Sequence, residues 1–203
     1  MNKQKSVVYP VIFMLVLSLV LTAALAALNA YTTPIVEFNQ DIALKEKILY
    51  VFDIDPGSTE AEAIDKTFNE NIETEEFEGN PLYVLKENGE AKAYAVPFNG
   101  PGLWGSINGY IGIDKDLKTI TGIDFIKQEE TPGLGGRIEE APYKEQYRGL
   151  DVSQPTGDRY VINRPAPGGN IDAISGATQT SNFVMTMINE DLMNFINSRQ
   201  GAN

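Results

Sequence analysis

The sequence predicts an α+β fold: one N-terminal transmembrane helix followed by an antiparallel sheet packed by helices. Three observations predict it. Val7 through Leu28 contains no charged residue. Between residues 81 and 126, short apolar runs alternate with turn residues, as hairpin-linked strands do. From Phe183 onward, apolar residues recur at spacings of three and four, the period of an amphipathic helix.

The first element is the anchor, residues 1–31. Its 22 uncharged residues span about 33 Å as a helix, against a bilayer core of roughly 30 Å. Ser18 and Thr22 are compatible with it because their hydroxyls bond back to helix carbonyls. Pro10 falls in the first turn, where its missing N–H matters little. Tyr9 and Tyr31 flank the run as interfacial aromatics do. Ala24-Leu25-Ala26 resembles a signal-peptidase site, but signal h-regions run only about 7–15 residues, which favours a retained anchor. The chain has no Cys, which excludes a lipoprotein anchor. Lys3 and Lys5 precede the helix and the next charge is Glu37. The N-terminus is therefore expected in the cytoplasm of a single-pass cell-membrane protein, with residues 32–203 outside.

Thr32 to Asn39 is expected to lead away from the bilayer, with Pro34 ending the anchor. Asp41 to Phe52 reads as a separate helix with Leu44, Ile48, Leu49 and Phe52 on one stripe, stopped by Asp53 to Gly57. Asn69 to Gly79, dense in Glu, reads as a solvated loop or short helix. Leu82–Leu85 and Ala91–Val96 flank Asn88-Gly89, the pair a tight hairpin prefers. Ile107–Ile113 and Thr119–Ile126 repeat the arrangement around Asp114-Lys115-Asp116, giving a four-stranded meander. Gly/Pro-rich loops at 131–136 and 165–169 precede the last helix. That helix presents Phe183, Val184, Met187, Ile188, Leu192, Phe195 and Ile196 on one face, and Asn182, Asn189, Glu190 and Asn194 on the other.

Composition narrows the function. All 28 acidic residues and 14 of the 16 basic ones lie beyond residue 31, giving that domain a formal charge of −14. Such a surface argues against nucleic acid and anionic headgroups. With no Cys and no His, thiolate catalysis, Fe–S or haem ligation, the usual zinc sites and a Ser-His-Asp triad drop out. An electron-carrying role would need an organic cofactor or an all-oxygen metal site.

The strongest motif is Asp172-Ala173-Ile174-Ser175-Gly176-Ala177-Thr178-Gln179-Thr180-Ser181 at the mouth of the last helix. Unpaired amides and the helix dipole make such a place a phosphate cradle. It is equally a place where Ser175 or Thr178 would simply cap the helix. On this reading Thr178 and Thr180 sit where a hydroxyl is exposed. A second block, Glu129-Glu130-Thr131-Pro132-Gly133-Leu134-Gly135-Gly136, is a tight loop whose backbone can approach a ligand closely. A third is Gly102-Leu103-Trp104-Gly105, followed by Gly109-Tyr110. Glu129, Glu130, Glu139 and Glu140 show no spacing that singles out an acid/base pair, so no catalytic residue is assigned.

These three blocks, in this order behind an anchor, resemble the FMN-binding subunit family of two membrane complexes: the G subunit of Rnf and the C subunit of the Na+-translocating NADH:quinone oxidoreductase. The resemblance implies one covalent FMN, linked through a phosphoester to Thr178, with Asp172, Ser175, Gly176, Ala177 and Thr180 completing the attachment segment. It places Glu130 and Thr131 at the edge of the flavin ring, Leu134 on its face and Trp104 nearby. It further implies a separate flavin transferase using FAD and Mg2+, integral-membrane partner subunits, and an electron-relay role in an ion-translocating complex. The chain would then be a redox subunit and not catalytic alone. Whether the Rnf or the quinone-reductase branch applies stays open here. The alternatives are an anchored extracytoplasmic ligand-binding or structural module without redox role, and a stand-alone flavin reductase, for which the chain is short.

Overall fold

The structure, a computed structural model, describes residues 8–201; the basic segment Met1–Lys5 lies outside them. The chain divides into two compact units, Met1–Ala43 and Leu44–Asn203. Helix α1 runs from Val8 to Val51. It is long and apolar enough to cross a membrane, by length and composition. The expected break at Pro34 is absent: the residue lies inside the helix. Proline there forfeits a hydrogen bond, but Thr32 and Thr33 donate from their hydroxyls to the carbonyls of Leu28 (3.0 Å) and Asn29 (2.7 Å) in the same stretch. The helix predicted over Asp41–Phe52 is thus the last part of α1.

In the second unit, α2 (Ala61–Asn71) leads into a five-stranded antiparallel sheet in sequential order: β1 Ile72–Phe77, β2 Asn80–Glu87, β3 Glu90–Pro101, β4 Ser106–Asp114 and β5 Ile120–Lys127. Asn88-Gly89 makes the β2–β3 hairpin with positive φ at both positions, as a type I′ turn requires. Glu78-Gly79 does the same between β1 and β2. The acidic segment expected as a loop or short helix therefore forms the end of α2 and an edge strand. Its exposed Glu73, Glu75 and Glu76 suit an open edge, where charge discourages pairing with another chain.

Both sheet faces are covered. On one, α4 (Thr178–Gly201) lays Val184, Met187, Ile188, Leu192, Phe195 and Ile196 against Val84, Val96, Phe98 and Ile111. On the other lie Ile48 and Leu49 of α1, Ile64 and Phe68 of α2, and Tyr83 and Tyr110, with Phe68–Tyr83 and Tyr83–Tyr110 ring centroids 5.7 and 5.1 Å apart. Between β5 and α4 the chain forms a 3-10 turn (Gly135–Glu139), α3 (Ala141–Lys144) and a two-stranded parallel pair, β6 (Asn163–Arg164) and β7 (Ile171–Asp172).

Asn189, expected on the solvent face of α4, is buried. Its amide accepts from the N–H groups of Tyr160 (2.8 Å) and Val161 (3.0 Å) and donates to the Val161 carbonyl (2.8 Å), tying an irregular segment to the helix.

Phe195 is fully buried, edge-to-face with Phe77 at 5.3 Å. Phe195→Ala is expected to cost about 3–5 kcal/mol of unfolding free energy, read from denaturant titration. A second expectation concerns pH. Asp191 on α4 accepts a hydrogen bond from the Asn99 amide at 3.2 Å. Desolvation pushes its carboxyl up from 3.8 to about 6; the Asn99 amide opposes the shift, and Glu190 and Glu78 add to it. The folded value exceeds the unfolded one, so this contribution to stability is complete below about pH 4 and is lost as pH rises through about 6. Asp191→Asn should flatten that slope in unfolding midpoints measured across this range.

Candidate functional site

Three distant segments meet where α4 begins. The β3–β4 connection closes on a 2.7 Å bond from the Gly102 amide to the Gly105 carbonyl, leaving Leu103 and Trp104 at its tip. The loop after β5 wraps around the Thr131 carbonyl, which accepts from the amides of Leu134 (3.1 Å) and Gly136 (3.0 Å). The third segment is the turn Ile174–Ala177, closed by a 2.9 Å bond from the Ala177 amide to the Ile174 carbonyl. Gly176 takes φ +80° there, and the Leu134 side chain lies 3.3 Å from where its Cβ would stand. Only glycine combines that backbone with so close a neighbour.

Together these segments enclose a cleft of about 470 Å³, lined by Leu103, Trp104, Glu130, Thr131, Leu134, Gly135 and the run Gly176–Thr180. Outside α1, the exposed large hydrophobic residues among those described are Leu103 (52%), Trp104 (71%) and Leu134 (46%). All three line this cleft. Opposite them stands the N-terminus of a 24-residue helix, whose first-turn amides at Thr178, Gln179 and Thr180 have no intrahelical acceptor. Thr178 is exposed, and neither it nor Ser175 makes a side-chain cap among the described residues. The turn is held instead by Ser181, whose hydroxyl accepts from the Ile174 amide (3.0 Å) and donates to the Ala177 carbonyl (3.2 Å).

The cleft has one titratable wall residue among those described, Glu130, and its carboxylate is fully engaged. Oε1 accepts from the amides of Leu103 (2.8 Å) and Trp104 (3.1 Å), and Oε2 accepts from the Thr180 hydroxyl (2.5 Å). Glu130 is 4% exposed and Thr180 1%, so the exposed hydroxyl expected at Thr180 is instead a buried tie. No group of three His, Cys, Asp or Glu that could hold a metal occurs among the described residues. In a depression beside the cleft, burial raises the Tyr143 phenol to about 12, its hydrogen bond with Tyr147 opposing the shift. Among the described residues, the cleft lining therefore offers no free acid or base.

Of the residues singled out from sequence, Thr178, Gly176, Ala177, Thr180, Glu130, Thr131, Leu134 and Trp104 line the cleft. Asp172 and Ser175 do not. They lie in a neighbouring depression of about 180 Å³ with Arg137 and Gln146, where Asp172 pairs with Arg164 at 2.9 Å. Gly135, of the loop expected to approach a ligand, also lines the cleft, while Leu103 and Gln179 line it without having been assigned a role. Their signal was adjacency: each sits beside a residue of its motif.

An exposed hydroxyl at a helix N-terminus, free amides and a three-sided apolar wall fit a phosphate-bearing planar ligand. Comparison with known proteins agrees. Residues 102–192 match the family model of the FMN-binding domain. The C subunit of the Na(+)-translocating NADH-quinone reductase of Vibrio anguillarum is 36% identical over 110 residues, 51% of this chain and 42% of that protein. Its Pasteurella multocida counterpart is 37% identical over 110 residues, with the same shares. The matched part thus spans well under half the length of these curated relatives. Among solved structures, the C subunit of the Parabacteroides distasonis reductase superposes with TM-score 0.66 at 28% identity, covering 79% of this chain and 92% of that one. Shewanella oneidensis NqrC, at 18% identity and TM-score 0.62, covers 78% and 98% and shares the fold.

Residues 102–192 thus match an FMN-binding domain, in a chain that also carries a long apolar helix. The chain is similar to these reductase C subunits.

Gly135 packs against the Glu130–Thr180 bond: a Cβ would stand 2.6 Å from both Oε2 and Thr180 Oγ1. Gly135→Ala is therefore expected to lower stability by about 1–3 kcal/mol through overpacking, read from the chemical unfolding midpoint.

Proposed function

We propose that this chain is an electron-transfer subunit of a membrane oxidoreductase complex of the Na+-translocating NADH-quinone reductase or Rnf type, bearing one FMN esterified to Thr178. The observation that carries this reading is the meeting, in one cleft, of Thr178 at a helix N-terminus with the exposed side chains of Leu103, Trp104 and Leu134. The first-turn amides of α4 would hold the phosphate, Thr178 Oγ1 would bear the ester, and the three apolar side chains would orient the ring. Bound FMN supplies one-electron chemistry that no side chain here provides.

The attachment is a phosphoryl transfer from FAD, with a separate Mg2+-dependent flavin transferase as catalyst. The Thr178 Oγ1–P bond forms, the pyrophosphate bridge of FAD breaks, AMP leaves and the hydroxyl proton passes to solvent. Asp172 and Ser175, exposed beside the cleft, belong to the attachment segment without facing the ring. Residues 1–31 anchor the chain with Lys3 and Lys5 in the cytoplasm, and residues 32–203 lie outside, where integral-membrane partner subunits present electrons and receive them.

Purified protein from flavin-replete cells with an active transferase is expected to fluoresce under ultraviolet light on a denaturing gel, and Thr178→Ala to run dark. Intact mass should exceed the polypeptide by one FMN less one water. The bare polypeptide mass from such cells would reject the covalent reading and favour a module without redox role.

A further inference from the structure

We propose that Glu130 is a positioning residue that fixes the Leu103–Trp104 wall over the cleft by tying it to the first turn of α4. This inference rests on the flavin reading of the site. It assigns Glu130 a part other than ring contact.

The argument begins with hydrogen-bond capacity. A carboxylate is an acceptor only, and three donors from two distant segments converge on this one: the Leu103 and Trp104 amides on Oε1, and Thr180 Oγ1 on Oε2. The Glu130 amide is itself held by Gln128 Oε1 at 2.7 Å, which fixes the backbone that carries the group. Glycines close both sides. A Cβ at Gly102 would stand 2.5 Å from Oε1, and one at Gly135 would stand 2.6 Å from Oε2. The carboxylate therefore has one place to be, and hydrogen bonds to charged groups are the stronger kind.

The connection bearing Trp104 is flanked by the last β3–β4 pair, Pro101 with Ser106, and at its tip, among the described residues, only Glu130 holds the Leu103 and Trp104 amides. Leu103 and Trp104 have exposed side chains, and within the turn the described backbone bond is that from Gly102 to Gly105. The contacts of its tip with Glu130 thus set where the apolar wall stands. Thr180 lies two residues from Thr178 on the same helical turn, so the same carboxylate references the wall to the proposed attachment point.

Trp104 is the one Trp of the chain, so its fluorescence reports this wall directly. The test uses the detergent-solubilised full chain carrying Thr178→Ala, which the proposed linkage leaves without flavin. Glu130→Ala is expected to lower Trp104 anisotropy while cooperative unfolding by circular dichroism persists. Glu130→Gln, whose Oε1 still accepts from both amides, is expected to keep most of the parent value. A folded Glu130→Ala with parent anisotropy, or an equal loss in Ala and Gln, overturns the proposal. Should Glu130→Ala not fold, Thr180→Val decides. It cuts the link to α4 alone, so a partial loss of anisotropy supports the proposal and the parent value overturns it. With Thr178 intact and flavin attached by mass, Glu130→Ala should also relieve flavin quenching of Trp104. A polypeptide without flavin would remove the functional reading and leave the anisotropy result standing.

Discussion

The packing of α4 on the sheet is the contact on which the rest of the site depends. Its apolar stripe from Val184 to Ile196 is buried against β2, β3 and β4, so the helix can neither slide nor roll without exposing that face. At roughly 25 cal/mol per Å2 of buried apolar surface, a stripe of six large side chains outweighs any single polar contact at its end. Fixing the helix body fixes the direction in which its first-turn amides point. Thr178 faces the cleft because residues 184 to 196 face the sheet.

The elements whose signals are local and periodic were legible in the sequence. Asn88-Gly89 specified its hairpin, and the three-four spacing specified α4. What failed to show was anything written in tertiary contacts. β1 carries Glu73, Glu75 and Glu76, and charge on neighbouring positions hides the period-two alternation that marks a strand. Pro34 read as a stop because its cost is local, whereas continuation of α1 draws on the helix on both sides. Asn189 read as a surface residue because its partners, Tyr160 and Val161, come from 29 and 28 residues away.

The site was legible in the same uneven way. The motif blocks brought most cleft residues to notice, yet their roles followed from geometry. Thr180 illustrates this. It lies four residues before buried Val184 and so belongs to the core-facing stripe, while Thr178, two positions earlier, falls about 200° round the helix and points out. Helical periodicity, applied to the hydroxyls as well as to the hydrophobics, would have separated the two. The partnership of Thr180 with Glu130 has no such signal, since 50 residues separate them.

Under the proposed reading, the two parts of the cleft would divide the work of holding a flavin by magnitude. A phosphate at a helix N-terminus gains about 0.3–1 kcal/mol from the dipole, and about 2 kcal/mol when partly buried. That cannot keep a cofactor resident in an open cleft, and on the extracytoplasmic side proposed above a lost flavin would be hard to replace. Under the proposed linkage the ester supplies retention, so the walls are released from that task. Leu103, Trp104 and Leu134 can then remain largely exposed, orienting the ring while leaving it accessible. Such access would suit the proposed relay between two partners, from which a deep pocket that bound flavin by burial alone would shield it.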